Sequence, residues 1–96
     1  MEIKKTAIAG TTESCDVQIV IAPNSPYGRK IVLDSNVKVQ FGDAILQTVQ
    51  EELDRFGITD ALVQIHDKGA FDWVIRARMQ AVVCRAADIP FSWKEA

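Results

Sequence analysis

SNVKVQFGDAILQTVQEELDRFGITDALVQIHD, residues 35–67, changes its apolar spacing once, and that change decides the fold. From Val37 onward Phe41, Ala44, Ile45, Val49, Leu53 and Phe56 recur at helical spacing, with Lys38, Gln47, Gln50, Glu51 and Asp54 on the opposite side. Ser35 or Asn36 can cap the first turn, because a short side-chain oxygen accepts the unpaired N–H groups there. Gly42 weakens the interior by about 1 kcal/mol relative to alanine. Gly57 suits the left-handed position that closes a helix, and Ile58 the apolar contact beyond it. After this stop the period becomes two: Val63 and Ile65 share one face of a strand over 61–67, Gln64 and His66 the other.

The flanks extend the alternation on one side and the helical spacing on the other. Ile3, Thr6 and Ile8 alternate weakly up to Gly10, which suggests an edge strand. Gly10-Thr11-Thr12-Glu13-Ser14 is a polar, hydroxyl-rich loop. Val17, Ile19 and Ile21 form one face of a second strand, and Lys30–Asp34 returns as a third after the Pro23–Gly28 connection. A strand–loop–strand of this length most simply pairs antiparallel. Beyond Lys68-Gly69, a second helix carries Phe71, Val74, Ile75, Met79, Val82, Val83 and Ala86 on its apolar stripe, with Arg76, Gln80 and Arg85 directed elsewhere; Pro90 stops it, ahead of Phe91 and Trp93. The order β-β-β-α-β-α predicts one α+β domain over 1–96: two layers, a small mixed sheet covered by two helices. The uncovered sheet face holds Val20 and Val32, enough apolar surface to meet a partner.

Composition narrows function mainly by exclusion. A net charge of −2 and a pI near 5.3, without a Lys/Arg block, are unlike a nucleic-acid binder. No apolar run approaches a membrane span, and no secretory stretch follows Met1, so the expected compartment is the cytoplasm. Cys15 and Cys84 then read as free thiols, and a single histidine excludes a multi-histidine metal site. His66 and Asp67 are adjacent on a strand and point to opposite faces, so they form no catalytic dyad. Neither a nucleophile–base–orienter set nor a phosphate-binding glycine loop is present. Two serines compete for attention. Asp34-Ser35-Asn36 resembles superficially the Asp-Ser-Leu of phosphopantetheine carriers, but Asn36 follows and helix capping explains Ser35. Ser14, judged on the residues alone, is a turn former in a polar loop.

What raises Ser14 is a resemblance. Ala7-Ile8-Ala9-Gly10-Thr11-Thr12-Glu13-Ser14-Cys15-Asp16-Val17 resembles the N-terminal signature of the citrate lyase acyl carrier proteins, the gamma subunits. Val37 to Asp43, ending Gln40-Phe41-Gly42-Asp43, is similar to a second block of that family, and Asp67-Lys68-Gly69-Ala70-Phe71-Asp72 to a third. Ile75-Arg76-Ala77-Arg78 and Ile89-Pro90 also fit. The resemblance implies a non-catalytic carrier in which Ser14 holds a phosphoribosyl dephospho-coenzyme A arm through a phosphodiester. It implies alpha (transferase) and beta (lyase) partner subunits and a prosthetic-group transferase, with acetyl and citryl thioesters carried during cleavage of citrate to acetate and oxaloacetate. Glu13 and Asp16 beside the anchor offer charge to a basic patch on a partner. The alternatives are the acyl carrier subunit of malonate decarboxylase and an unmodified α+β interaction module.

Overall fold

The computed structural model describes residues 1–35 and 38–90; the expected cap at Asn36 and the aromatic residues Phe91 and Trp93 lie outside them. Among the described residues the elements are β1 (Ala7–Gly10), β2 (Val17–Ala22), β3 (Arg29–Ser35), α1 (Lys38–Arg55), β4 (Ala61–Asp67) and α2 (Asp72–Ala87). The strands form one mixed sheet in the order β1-β2-β4-β3, with both helices packed on one side. Helix α2 crosses β1 and β2, α1 lies against β3, and the two helices touch. The architecture is the two-layer α+β domain expected from the spacing.

The pairing within the sheet corrects one expectation. β2 and β3 do not form a hairpin: β4 lies between them, antiparallel to β2 and parallel to β3. Burial explains this order. Val63 and Ile65 of β4 are shielded almost completely, as are Val17, Ile19 and Ile21 of β2, so these two strands occupy the centre. Ile31 and Leu33 of β3 are only half-buried, which suits an edge. Helix α1, between β3 and β4, supplies the crossover that a parallel pair requires.

Ile19 faces Ile65, and Ile21 faces Val63, across the β2–β4 ladder. Against them pack Ile45, Val49 and Leu53 of α1 and Ile75, Met79, Val82 and Val83 of α2. Burying one such side chain contributes about 1.5–3 kcal/mol, so this interlayer cluster holds the two layers together. Helix α1 ends where its sequence indicates. Gly57 has φ +64°, its N–H donates to the Asp54 carbonyl (3.0 Å), and the N–H of the buried Ile58 donates to Leu53 (3.0 Å). That is the double closure of a left-handed helix cap. Helix α2 closes similarly with Asp88 at φ 57°, before Pro90.

Several side chains depart from their expected faces. Ile8 is exposed on the open face, where it aligns with Val20, Gln64 and Val32, while Ile3 precedes the strand and enters the core. Gln80 is buried rather than outward: its amide donates to Glu52 (3.0 Å). Glu52 is itself fully buried and also accepts from Arg76 (3.1 Å) and Arg55 (3.3 Å), which ties α1 to α2. Phe41 and Phe71, placed on the apolar stripes by spacing, are more than half exposed. Each lies at a helix beginning, beyond the cover of the sheet.

Candidate functional site

Ser14 sits at the tip of the connection between β1 and β2, exposed to solvent. The loop enters through Gly10, whose φ of +85° and close approach to Val17 leave no room for a side chain: a Cβ would stand 1.8 Å from the Val17 carbonyl oxygen. Thr11 then uses its hydroxyl twice, donating to Asp16 Oδ2 (2.6 Å) and accepting from the Glu13 N–H (3.2 Å). The Asp16 N–H donates to the Glu13 carbonyl (3.1 Å), closing a tight turn around Ser14 and Cys15. Cys15 adopts φ 65°, a left-handed conformation that costs a residue with a side chain roughly 1–2 kcal/mol. The turn is therefore held by its surroundings, not by local preference.

Asp16 is the centre of that support. Its Oδ1 accepts from the Val17 N–H (2.7 Å) and Arg78 Nε (3.1 Å), and its Oδ2 from Thr11 and Arg78 Nη2 (3.0 Å). Burial by itself would raise its pKa. The hydrogen bonds from Arg78, Thr11 and Val17, with the charge of Arg78, outweigh it and hold the carboxyl at about 2. Asp16 consequently faces inward, with only 15% of its side chain exposed. The expectation that it offers charge to a partner fails for that reason, whereas Glu13 is exposed.

A second brace comes from the end of β4. The Cys15 N–H donates to the Lys68 carbonyl (2.9 Å), and the Lys68 N–H to the Asp16 carbonyl (2.9 Å), continuing the β2–β4 pairing past Val17 and Asp67. Asp67 is buried and shapes the next turn, accepting from the Gly69 and Ala70 N–H groups (3.2 and 3.0 Å) and the Ser35 hydroxyl (2.8 Å). The structure thus separates the two competing serines. Ser35 is half-buried at the end of β3 and engaged with Asp67. Ser14 projects its hydroxyl at the surface, with Cys15 Sγ 3.8 Å away.

The remaining candidates do not join this site. His66 lies on the open sheet face, its Nδ1 3.5 Å from Asp34, with Asp67 on the opposite face. Cys84 is buried in α2. Among the described residues, no cluster of His, Cys, Asp or Glu converges as metal ligands, and no helix is long and apolar enough to cross a membrane. Sequence reasoning missed Arg78 and Asp67 as the supports of the loop. The signal for Arg78 was its place three residues after the buried Ile75, on the same helix face.

Comparison with known proteins gives the family and the fold. The family profile described as "ACP: Malonate decarboxylase delta subunit (MdcD)" matches residues 4–86. The chain is 55% identical to the citrate lyase acyl carrier protein of Vibrio cholerae serotype O1 (strain M66-2), over 93% of this chain and 91% of that protein. It is 54% identical to that of Weissella paramesenteroides over 93% and 91%, and 45% identical to that of Clostridium perfringens (strain 13 / Type A) over 97% and 93%. In a crystal structure of a Pseudomonas malonate decarboxylase hetero-tetramer in complex with malonate, one chain shares the fold. Its TM-score is 0.71 at 21% identity, with 90% of this chain and 88% of that one covered. The chain belongs to the citrate lyase acyl carrier protein family.

Proposed function

We propose that the chain is the acyl carrier subunit of a citrate lyase and that Ser14 anchors its prosthetic group. One observation carries this reading: an exposed hydroxyl held out at the tip of a loop whose base is fixed by Asp16, Arg78 and Lys68. The group implied by the family is phosphoribosyl dephospho-coenzyme A, joined through a phosphodiester, and the residues present fit it. Ser14 is exposed, and the loop's conformation is set by Thr11 and Asp16, whose side chains bond each other, the Val17 N–H and Arg78. When bound, the group supplies a terminal thiol that carries acetyl and citryl as thioesters.

The chain's own part is mechanical. A rigid loop base fixes where the tether originates, and tethering raises the effective concentration of the thiol end at each partner site without new contacts. Catalysis then belongs to the partner subunits, a transferase (alpha) and a lyase (beta), and loading to a prosthetic-group transferase. The 54–55% identity to carriers of citrate lyase, against 21% to the chain of the malonate decarboxylase, favours citrate lyase over the alternative.

The test is tandem mass spectrometry of the peptide containing Ser14, from protein produced with its transferase. An adduct on Ser14 is expected. Ser14→Ala is expected to abolish loading and to leave the circular dichroism spectrum and urea midpoint unchanged, because the side chain is exposed. Loading retained in Ser14→Ala, or an adduct on Ser35, would refute the assignment.

A further inference from the structure

A groove of about 370 Å³ opens where the beginnings of α1 and α2 face each other. Phe41, Ala44 and Ile45 line one side; Ala70, Phe71 and Ile75 line the other. The volume lies at the small end of the range for small-molecule sites, roughly 300–1,000 Å³, and the lining is mostly apolar. Phe41 and Phe71 are 54% and 58% exposed, and Phe71 stacks on Trp73 with ring centroids 4.6 Å apart. A rim of large apolar side chains is thus held open to water, which marks a binding surface.

The groove is continuous with the anchor loop. Lys68 is bonded through both backbone groups to Cys15 and Asp16, and the next two residues, Gly69 and Ala70, form the groove wall. Chain geometry alone places Ser14 within about 18 Å of Ala70. The charge around the groove selects what could lie there. Asp72 lines it, held ionised by hydrogen bonds from Thr48 and Arg76, and Arg76 is shared with Glu51 and Glu52. Asp72 is the one charged side chain among the described residues that line the groove, so the lining offers no cation to a phosphate or to a carboxylate-bearing acyl group.

Building on the anchoring of an arm at Ser14, we propose that this groove is the resting site of the neutral end of that arm. The occupant is the pantetheine segment with its terminal thiol or acetyl thioester, carried by the same chain. The apolar walls shelter the thioester from water between transfers, and a lining whose one charge is the Asp72 carboxylate disfavours an acyl group that bears carboxylates.

The experiment uses the isolated carrier, loaded by its transferase and verified by intact mass, against the unloaded protein. Loading is expected to shift the backbone amide resonances of Ala44, Ile45, Ala70 and Phe71 as well as those of residues 11–16. Alkylation of the arm's thiol by iodoacetamide, followed by peptide mass, is expected to run at least fivefold slower than that of free pantetheine. Ala44→Trp, which fills the groove from an exposed position, is expected to restore the free rate. A loaded carrier whose shifts stop at residues 11–16 and whose thiol reacts like free pantetheine overturns this inference and leaves the anchoring intact. Groove shifts that appear only on adding partner subunits overturn it in favour of a protein interface. Absence of any adduct on Ser14 overturns both readings.

Discussion

Replacing Asp16 by asparagine keeps the shape of the side chain and removes its charge, which isolates what the carboxylate does for the loop. Its pKa falls from an ordinary 3.8 to about 2 in the folded protein. At about 1.4 kcal/mol per unit, such a shift corresponds to at most about 2.5 kcal/mol of folding stability. Arg78 is 40% exposed, so solvent screening reduces the expected loss in Asp16→Asn to about 1–2 kcal/mol at pH 7. The sign follows from the direction of the shift. A carboxyl that binds its proton more weakly when folded stabilises the fold above the unfolded value, and that stabilisation fades as the pH falls from 3.8 towards 2. Roughly half should remain near pH 3. Urea unfolding of both proteins between pH 7 and pH 3 measures it: the stability gap should be widest at neutral pH and narrow steadily below pH 4. A gap that stays constant with pH would refute the charge-assisted brace and leave only a shape effect. Loading of Ser14 in Asp16→Asn should slow as well, since the turn loses its centre.

Other substitutions probe the remaining supports. Gly10→Ala should cost at least about 2 kcal/mol in urea unfolding, because it adds left-handed strain to a Cβ 1.8 Å from the Val17 carbonyl; a near-neutral result would mean the loop can re-route. Gly57→Ala, where the strain stands without a clash, should cost only about 1 kcal/mol by the same assay. Glu52→Ala should lower stability by about 3 kcal/mol or more, since it strands Gln80 and part of Arg76 between the helices, while Glu52→Gln should lose less. Equal losses in the two variants would show that the charge, which both remove, matters there and that the packing and amide hydrogen bonds kept by glutamine add nothing.

The two helices, their stops and the strand faces of β2 and β4 were legible because each rests on local periodicity or on a cap. Gly57 and Ile58 end α1 by the bonds their residue types imply. Strand order was not legible in the same way. The most direct local pairing for β2 and β3 is a hairpin, but burial of both flanks of β4 outweighs it, and that preference exists only once the helices cover the sheet. The same limit hid the base of the Ser14 loop. Asp16 and Arg78 are far apart in the chain, and only the placement of α2 across β1 and β2 brings them together. Gln80 was misread because a polar side chain satisfied by a partner on another helix, here Glu52, looks in its own helix like solvated surface.

Strand order also explains why blocks that are scattered along the chain act as one site. With β4 central and antiparallel to β2, the end of β4 lies beside the start of β2, so Asp67–Ala70 meets the loop that carries Ser14. Helix α2 begins from that same turn, and its second turn brings Arg78 back to Asp16. Helix α1 begins nearby because β3 runs parallel to β4, and this sets Phe41 opposite Phe71 across the groove. The Gly-Thr-Thr-Glu-Ser loop, the Asp-Lys-Gly-Ala-Phe-Asp turn, Phe41 of the Gln-Phe-Gly-Asp block and the Arg-Ala-Arg turn therefore share one end of the domain. The other end is not bound by that requirement. A β2–β3 hairpin would have removed β4 from beside β2 and left the anchor loop without Lys68, so the pairing that sequence reasoning missed is the one on which the proposed anchor depends.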